Sequence, residues 1–334
     1  MLKVDKAHSI LYINRDEVEE LLSYSAAVDL MRKAMIAVSD GKAIQPIRSS
    51  MAAPDETRLL GMMPGCLRSN GLSGIKVVTI FSNRSQQGHS SHSGLLLLFE
   101  AEYGMPLAIL EAGSVTAIRT AACSVVATSA LARRDATDLL VLGNGEQAQN
   151  HVEAFRELVV PDRIQVWGRS YGKAQAFADR QSEELGCHIE PARDLPDAVA
   201  AADIICTTTS AESPVLKGDW LKGGVHINLV GSSVPSAREI DTEGVCRSKF
   251  FVDYIDSVKE LGGEYRNALA AGAIDESHIL GEIGEVLSEK ICGRESESDV
   301  TIFKSLGMIS EDIYSAEHIY RMAKENCVGT RLEV

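Results

Sequence analysis

The sequence predicts an α/β protein: a Rossmann-type doubly wound parallel sheet domain joined to an α+β, strand-rich domain. Three observations carry this. Residues 138–148, DLLVLGNGEQA, form a short apolar run that ends in Gly143-Asn144-Gly145 and passes straight into helix formers, the pattern of a phosphate-gripping strand-turn-helix. Downstream of it, apolar runs of strand length alternate with helical stretches, which builds a parallel sheet. Upstream, about 110 residues carry short strands separated by turn residues, with no such alternation.

Taken in order, residues 9–14, SILYIN, read as a first strand, followed by a helix from about Arg15. A second helix is expected over 25–39, with Ala26, Val28, Leu30, Met31, Ala34, Met35 and Val38 inward and Gly41 just past its end. Strands are expected at 47–51, 58–63, 74–81, 94–100 and 106–111, forming an antiparallel block, with the polar stretch 82–94 as a lid or site wall. Residues 114–132, SVTAIRTAACSVVATSALA, predict a small-residue helix capped by Ser114 that joins the two blocks.

In the second block, residues 139–142 form a buried strand, and Gly143 permits the tight turn. Gly145 lets backbone amides approach a pyrophosphate, and Ala148 keeps helix and strand close. The helix from Gln147 to about Val159 aims its positive end at the phosphates. Strand 164–167, helix 172–185, a weak strand near His188, a short helix, and strands 203–207, 225–230 and 250–252 follow. A strand-like TIFKSLG precedes a final helix at 309–326, which is expected to pack back on the first block.

Composition narrows the function classes. The chain has 334 residues, 24% charged and 45% hydrophobic, long enough for two domains of ordinary globular composition. A net charge of −14 argues against nucleic acid and anionic membranes as partners. The N-terminus carries charges where a signal peptide needs an apolar centre, and no apolar run is read as approaching the roughly 20 residues of a spanning helix. Seven cysteines without a Cys-x-x-Cys pair fit reduced thiols in a cytoplasm. The eight histidines show no ligand spacing, so no metal is expected.

The end of the second strand of the unit is where a carboxylate would hold an adenine-ribose hydroxyl. Here it reads Val166-Trp167-Gly168-Arg169-Ser170, without a carboxylate. An Arg followed by a Ser suits a 2′-phosphate, so NADP(H) is favoured and NAD(H) is the alternative; Arg169 as a solvated strand-end charge is the competing reading. Thr207, Thr208 and Thr209 end the next core strand, where a dinucleotide's middle passes, although a run of Thr is also ordinary strand chemistry.

Several segments in this order and spacing resemble one family. They are Gln45-Pro46-Ile47-Arg48, Gly74-Ile75-Lys76, Ser91-His92, Thr116-Ala117-Ile118-Arg119-Thr120-Ala121-Ala122, the glycine turn with Glu146-Gln147-Ala148, Gly168-Arg169-Ser170, Ile227-Asn228-Leu229-Val230-Gly231 and Phe303-Lys304-Ser305-Leu306-Gly307-Met308. Over nearly its whole length the chain resembles the ornithine cyclodeaminase/mu-crystallin family. The resemblance implies a homodimer joined through the strand-rich blocks, a substrate-binding and dimerisation domain at 1–115 with 310–334, and a dinucleotide-binding domain at 116–309. It implies a site between those domains and a small imino or amino acid as substrate.

Carried over residue by residue, Arg48 and Lys76 match the substrate-carboxylate and acid-base positions. Arg119 is placed near the nicotinamide end, holding carboxylate or cofactor, with Ser91 and His92 as loop residues at the cofactor; His92 and Met63 are also read as substrate contacts. Val230, Gly231 and Ser305 join the cofactor set. The informative departure is Ser233, which stands where cyclodeaminases of the family have an Asp. A serine cannot carry that charge at neutral pH, and ketimine reductases of the family have a Ser here.

Reduction of a cyclic imine such as Δ1-pyrroline-2-carboxylate to L-proline needs a cation for the carboxylate, a proton for the imine nitrogen and a hydride. Arg48 suits the first. Lys76, in an apolar strand, has its pKa lowered by partial burial toward proton transfer, and Ser233 relays a hydrogen bond. Asp256 and Glu285 are lesser candidates against helix-surface roles, and Met62 and Met63 line a pocket wall. Two alternatives remain at this stage: a cis-3-hydroxy-L-proline dehydratase or cyclodeaminase using the same pocket, and a non-catalytic NADPH-binding or ligand-binding, crystallin-like protein. Open-chain imines, as in alanine or opine dehydrogenases, remain open too.

Overall fold

The computed structural model describes residues 9–52, 58–81 and 92–333. The chain divides into two units, Met1–Arg119 with Gly307–Val334, and Thr120–Leu306. These limits fall within four residues of the boundaries expected at 115/116 and 309/310, and the Arg119 guanidinium is held by Glu311 and Asp312 inside the first unit.

In the first unit, β1 (Ser9–Ile13) stops at Asn14. The Asn14 side chain accepts the Glu17 N–H at 3.1 Å while the Glu17 carboxylate accepts the Asn14 N–H at 2.8 Å, a reciprocal cap that starts α1 (Arg15–Leu21). Ser23 caps α2 (Tyr24–Ser39), whose inward stripe includes Ala27, Met31, Ala34, Met35 and Val38. Instead of the single strand expected at 47–51, two short strands form, β2 (Ala43–Ile44) and β3 (Ser49–Ala52); Pro46 between them has no N–H to donate to a ladder. β4 (Arg58–Leu67), β5 (Leu72–Phe81), β6 (His92–Glu100) and β7 (Pro106–Glu111) follow.

Together with β16 (Thr330–Glu333) these make an eight-stranded sheet, ordered β16-β1-β7-β6-β5-β4-β2 with β3 also on β4. The expectation of a wholly antiparallel block fails at one pair. β1 runs parallel to β7, because the chain between them passes through two helices and five strands rather than a hairpin. The final helix, α11 (Ile309–Asn326), lies on β4, β5 and β6 and packs against α2.

The joining helix α3 (Ala112–Leu131) begins two residues before the expected cap. The Glu111 carboxylate accepts the N–H groups of Gly113 at 2.7 Å and Ser114 at 2.8 Å, while the Ser114 hydroxyl donates to Glu19. Glu111, not Ser114, is the cap. α3 also corrects the reading that no segment is long and apolar enough to span a membrane. By length and composition it is, but 83% of its most apolar stretch is buried inside the protein, so it serves as a core helix.

The second unit carries an eight-stranded parallel sheet, ordered β10-β9-β8-β11-β12-β15-β13-β14. Its strands are β8 (Asp138–Leu142), β9 (Arg163–Trp167), β10 (Ile189–Pro191), β11 (Ile204–Thr207), β12 (His226–Leu229), β13 (Ser248–Val252), β14 (Ile279–Glu282) and β15 (Val300–Lys304). The helices α4 (Glu146–Leu158), α5 (Tyr171–Leu185) and α6 (Leu195–Ala201) connect β8 through β11. The order reverses between β8 and β11, which makes the carboxyl ends of these two strands the switch point where ligands of such sheets bind. The strand β14 and the four short helices α7 to α10 (Thr242–Cys246, Ile255–Leu261, Gly263–Ala270, Ile283–Leu287) were not legible in the pattern. β15, expected only as a lead-in to the tail, is a central strand between β12 and β13.

Candidate active site and dinucleotide turn

At the end of β8 the backbone of Gly143 has φ 131°, in the region that favours glycine. A Cβ there would stand 2.5 Å from the Thr208 hydroxyl oxygen. Gly145 is the residue preceding α4, and nothing lies within 4 Å of where its Cβ would be. No side chain caps the N-terminus of α4. Glu146 occupies its first turn, Ala148 is fully buried against the strand, and the Gln147 side-chain carbonyl is buried without a hydrogen-bond partner among the described residues. An open cradle of amides at the positive end of a 13-residue helix fits a pyrophosphate. At the end of β9, Arg169 and Ser170 are exposed; Ser170 precedes α5 and makes no capping bond. Gly168 faces the Asn144 side chain, 3.4 Å from where its Cβ would stand.

The threonines after β11 are committed inward. The Thr207 hydroxyl donates to Glu239 at 2.6 Å and the Thr208 hydroxyl to the Leu142 carbonyl at 3.0 Å, so the expectation that these hydroxyls are presented to a dinucleotide is revised: they shape the turn. Glu239 is the residue sequence reasoning missed. Fully buried, its carboxylate also accepts the Thr209 N–H at 2.7 Å, the Thr209 hydroxyl at 2.8 Å and the Gly231 N–H at 2.7 Å. Burial pushes its pKa above the usual carboxylate range.

This clamp joins the turns that follow β11 and β12. Val230 and Gly231 both donate to the Thr207 carbonyl at 3.1 Å, and a Cβ on Gly231 would stand 2.1 Å from the Thr209 carbonyl oxygen. Lys304, at the end of β15, is buried; it donates to the Ser232 carbonyl at 2.6 Å and pairs with Glu264 at 3.1 Å. Ser305 is buried and donates its N–H to Leu229. Ser233, half-buried, follows this braced turn.

In the first unit, Lys76 lies on β5 between Ile75 and Val77, on the face that α11 covers. Strand alternation places it there with Leu72 and Gly74, and its ladder neighbours are Met63 on β4 and Leu96 on β6, both buried. Only 2% of Lys76 is exposed, so burial is complete rather than partial. Its ammonium sits 2.7 Å from an Asp312 carboxylate oxygen and 3.3 Å from the Thr116 hydroxyl. Burial lowers its pKa to about 8, against the Asp312 carboxylate, which raises it; Arg119 and Arg48 add to the lowering.

Arg119 on α3 donates to Glu311 at 2.7 Å and to Asp312 at 3.2 Å. Arg48, half-buried between β2 and β3, donates to the Gly307 carbonyl at 3.0 Å, and the nearby Gln45 accepts the Ser310 hydroxyl. The structure thus brings Lys76, Arg119, Arg48 and Met63 into one unit with two carboxylates that the sequence reading did not name. Ser91 and the His92 side chain lie outside the described residues. Asp256 accepts the Tyr254 hydroxyl on the exposed first turn of α8, and Glu285 accepts the Glu282 N–H in a cap of α10. Both make local contacts at helix ends, in keeping with the structural roles weighed against them.

The chain matches the profile of the ornithine cyclodeaminase/mu-crystallin family over residues 10–326. It is 33% identical over 325 residues to a Delta(1)-pyrroline-2-carboxylate reductase of Bacillus cereus, covering 97% of this chain and 100% of that protein. Its fold superposes with a TM-score of 0.93 on Thermococcus litoralis Delta(1)-pyrroline-2-carboxylate reductase in complex with NADH and L-proline, at 33% identity, covering 97% of this chain and 100% of the other. An archaeal alanine dehydrogenase dimer with bound NAD gives a TM-score of 0.90 at 29% identity, over 97% of this chain and 99% of that one. On the breadth of this match, the chain belongs to the ornithine cyclodeaminase/mu-crystallin family.

Proposed function

We propose that this chain is an NAD(P)H-dependent reductase of cyclic imino acids, with Δ1-pyrroline-2-carboxylate going to L-proline as its reaction. The observation that carries this reading is Lys76, an ammonium with 2% exposure whose pKa is brought down to about 8. A donor so poised gives up its proton near neutral pH far more readily than an ordinary lysine. The glycine turn fits the pyrophosphate of a pyridine dinucleotide, which when bound supplies a hydride. Arg48 offers a planar fork for the substrate carboxylate. Lys76 donates a proton to the imine nitrogen, making the adjacent carbon electron-poor, and Ser233 relays a hydrogen bond. Arg119, with its charge balanced by Glu311 and Asp312, is assigned to the substrate carboxylate or the nicotinamide end. Ser233, lacking a carboxylate, speaks against the cyclodeaminase reading.

NADP(H) is the preferred dinucleotide in this account, because Arg169 and Ser170 are exposed at the end of β9 where a carboxylate would repel a 2′-phosphate. Arg169→Ala then lowers the preference for NADPH over NADH, read as the ratio of kcat/KM values. A homodimer through the first unit is supported by its sheet. Ile75, Val77, Leu97 and Leu95 alternate with the residues under α11 and are left half-buried, Leu95 being 45% exposed. All seven cysteines are free thiols, which suits the reducing cytoplasm.

The test is to mix the protein with NADPH and Δ1-pyrroline-2-carboxylate and follow nicotinamide absorbance alongside product analysis. Loss of absorbance with matching L-proline supports the reading. Release of ammonia from ornithine, or of water from cis-3-hydroxyproline, without added reductant replaces it with the lyase alternative. Tight NADPH binding with no turnover of any imine replaces it with a binding protein.

A further inference from the structure

We propose that Asp312 is a positioning residue for this reaction: its two carboxylate oxygens hold Lys76 and Arg119 in fixed register and set the proton state of Lys76. The inference rests on the reading of Lys76 as proton donor to an imine. Glu311 and Asp312 are consecutive residues in the first turn of α11, and both side chains are 0% exposed. They divide two cations between them. Glu311 takes a terminal nitrogen of Arg119 at 2.7 Å and caps α11 by accepting the Met308 N–H at 3.2 Å. Asp312 takes Arg119 Nε with one oxygen at 3.2 Å and approaches Lys76 Nζ with the other at 2.7 Å.

The hydroxyl of Thr116 donates to the Ala112 carbonyl at 2.7 Å, so it can only accept from Lys76, at 3.3 Å. Thr116 therefore accepts one of the three N–H bonds of the ammonium, Asp312 Oδ2 pairs with it through charge at 2.7 Å without accepting a hydrogen bond, and no further acceptor meets Lys76 Nζ among the described residues. An N–H bond left without an acceptor is the one a substrate nitrogen would meet. The charged groups acting on Lys76 are Asp312 from α11, Arg119 from α3, and Arg48 from the segment between β2 and β3, while Glu311 from α11 meets Arg119. The flanking strands β4 and β6 offer only Met63 and Leu96. Among the described residues Asp312 is the one negative group in contact with Lys76. Without it, burial and two guanidinium groups all disfavour the protonated form.

The probe is Asp312→Asn, which keeps shape and removes charge. Lysine labelled with carbon-13 at Cε is titrated by NMR in the ligand-free protein, and the Lys76 signal is assigned from its loss in Lys76→Met. Removing a contacting opposite charge should lower the midpoint by about 1 to 3 pH units. The basic limb of kcat/KM for imine reduction moves down by the same amount, while Asp312→Glu leaves both near the wild-type positions. Glu311→Gln, which removes a negative charge without touching Lys76, gives a smaller move of the same sign and serves if Asp312→Asn does not fold. A folded Asp312→Asn protein whose Lys76 midpoint stays within 0.3 pH units (about a twofold change in proton affinity) overturns the proposal. So does a Glu311→Gln midpoint that stays put or rises when it is the only folded variant. Because the titration needs no substrate, its failure is distinct from failure of the imine reading, which shows as absent turnover by the wild-type protein.

Discussion

Gly145→Ala separates folding from cofactor binding. In the ligand-free protein nothing lies within 4 Å of the added methyl, and the backbone there has φ −102° and ψ −167°, open to any residue. Alanine in place of glycine ahead of a helix costs no more than about 1 kcal/mol, which in a domain of this size lowers Tm by about 2–4 °C. The same methyl occupies the space through which amides would reach a pyrophosphate. Losing one or two charge-assisted hydrogen bonds, at about 1.5–3 kcal/mol each, weakens NADPH binding by roughly tenfold to 10⁴-fold. Gly143→Ala is the contrast. With φ 131° and a Cβ 2.5 Å from the Thr208 hydroxyl oxygen, it strains the fold itself, and about 1–3 kcal/mol of strain appears in Tm before any ligand is added. The assay is isothermal titration with NADPH beside differential scanning calorimetry of the ligand-free variants. A Gly145→Ala protein that binds NADPH within twofold of wild type refutes the placement of the pyrophosphate.

Two further outcomes follow from buried groups. Lys76→Met should lower kcat/KM for the imine by about 10²- to 10⁴-fold, the usual contribution of a general acid, while the dissociation constant for NADPH measured by fluorescence titration stays within threefold; a kcat/KM within threefold of wild type contradicts the role given to Lys76. Acid stability is set in part by His151 and His226, both fully buried, with pKa values lowered by desolvation from 6.5 to about 4 and about 3. Above pH 6.5 both states leave these rings neutral. As pH falls below it the unfolded chain takes up protons that the folded one refuses, so stability is lost, by about 2 kcal/mol per ring at pH 5. Urea unfolding between pH 7 and 5 measures this, and a flat profile contradicts it.

What could be read from the sequence follows from which forces are local. The glycine turn and the strand-helix alternation after residue 138 were legible, because φ requirements and periodicity are written in neighbouring residues; the inward stripe of α2 was read only in part, since Ala26, Val28 and Leu30 stay half-buried while Ala27 and Ala37 are buried. Lys76 was legible as a candidate through the family resemblance carried by Gly74-Ile75-Lys76, and its apolar strand suggested a lowered pKa. Its partners were not. Asp312 lies 236 positions further on, by the difference in numbering, and an acidic residue in a first helical turn is ordinary. Glu239 was hidden for a similar reason: it sits in an irregular segment, and only the converging N–H groups of Thr209 and Gly231 show what it does. The parallel pairing of β1 with β7 and the Glu111 cap of α3 depend on contacts across the chain. Thr207 was placed correctly at the end of its strand while Thr208 falls just past it, and alternation says nothing of which acceptor a hydroxyl finds.

The central claim is that a pyridine dinucleotide delivers hydride to a carboxylate-bearing cyclic imine whose proton Lys76 supplies. NADPH carrying deuterium at C4, on the transferred face, tests it most directly when incubated with Δ1-pyrroline-2-carboxylate and the protein, followed by mass spectrometry of the product. The account predicts L-proline with one deuterium on its α-carbon, formed one-for-one with oxidised dinucleotide and lost in Lys76→Met. Proline without deuterium, or product formed while the dinucleotide is unchanged, contradicts it.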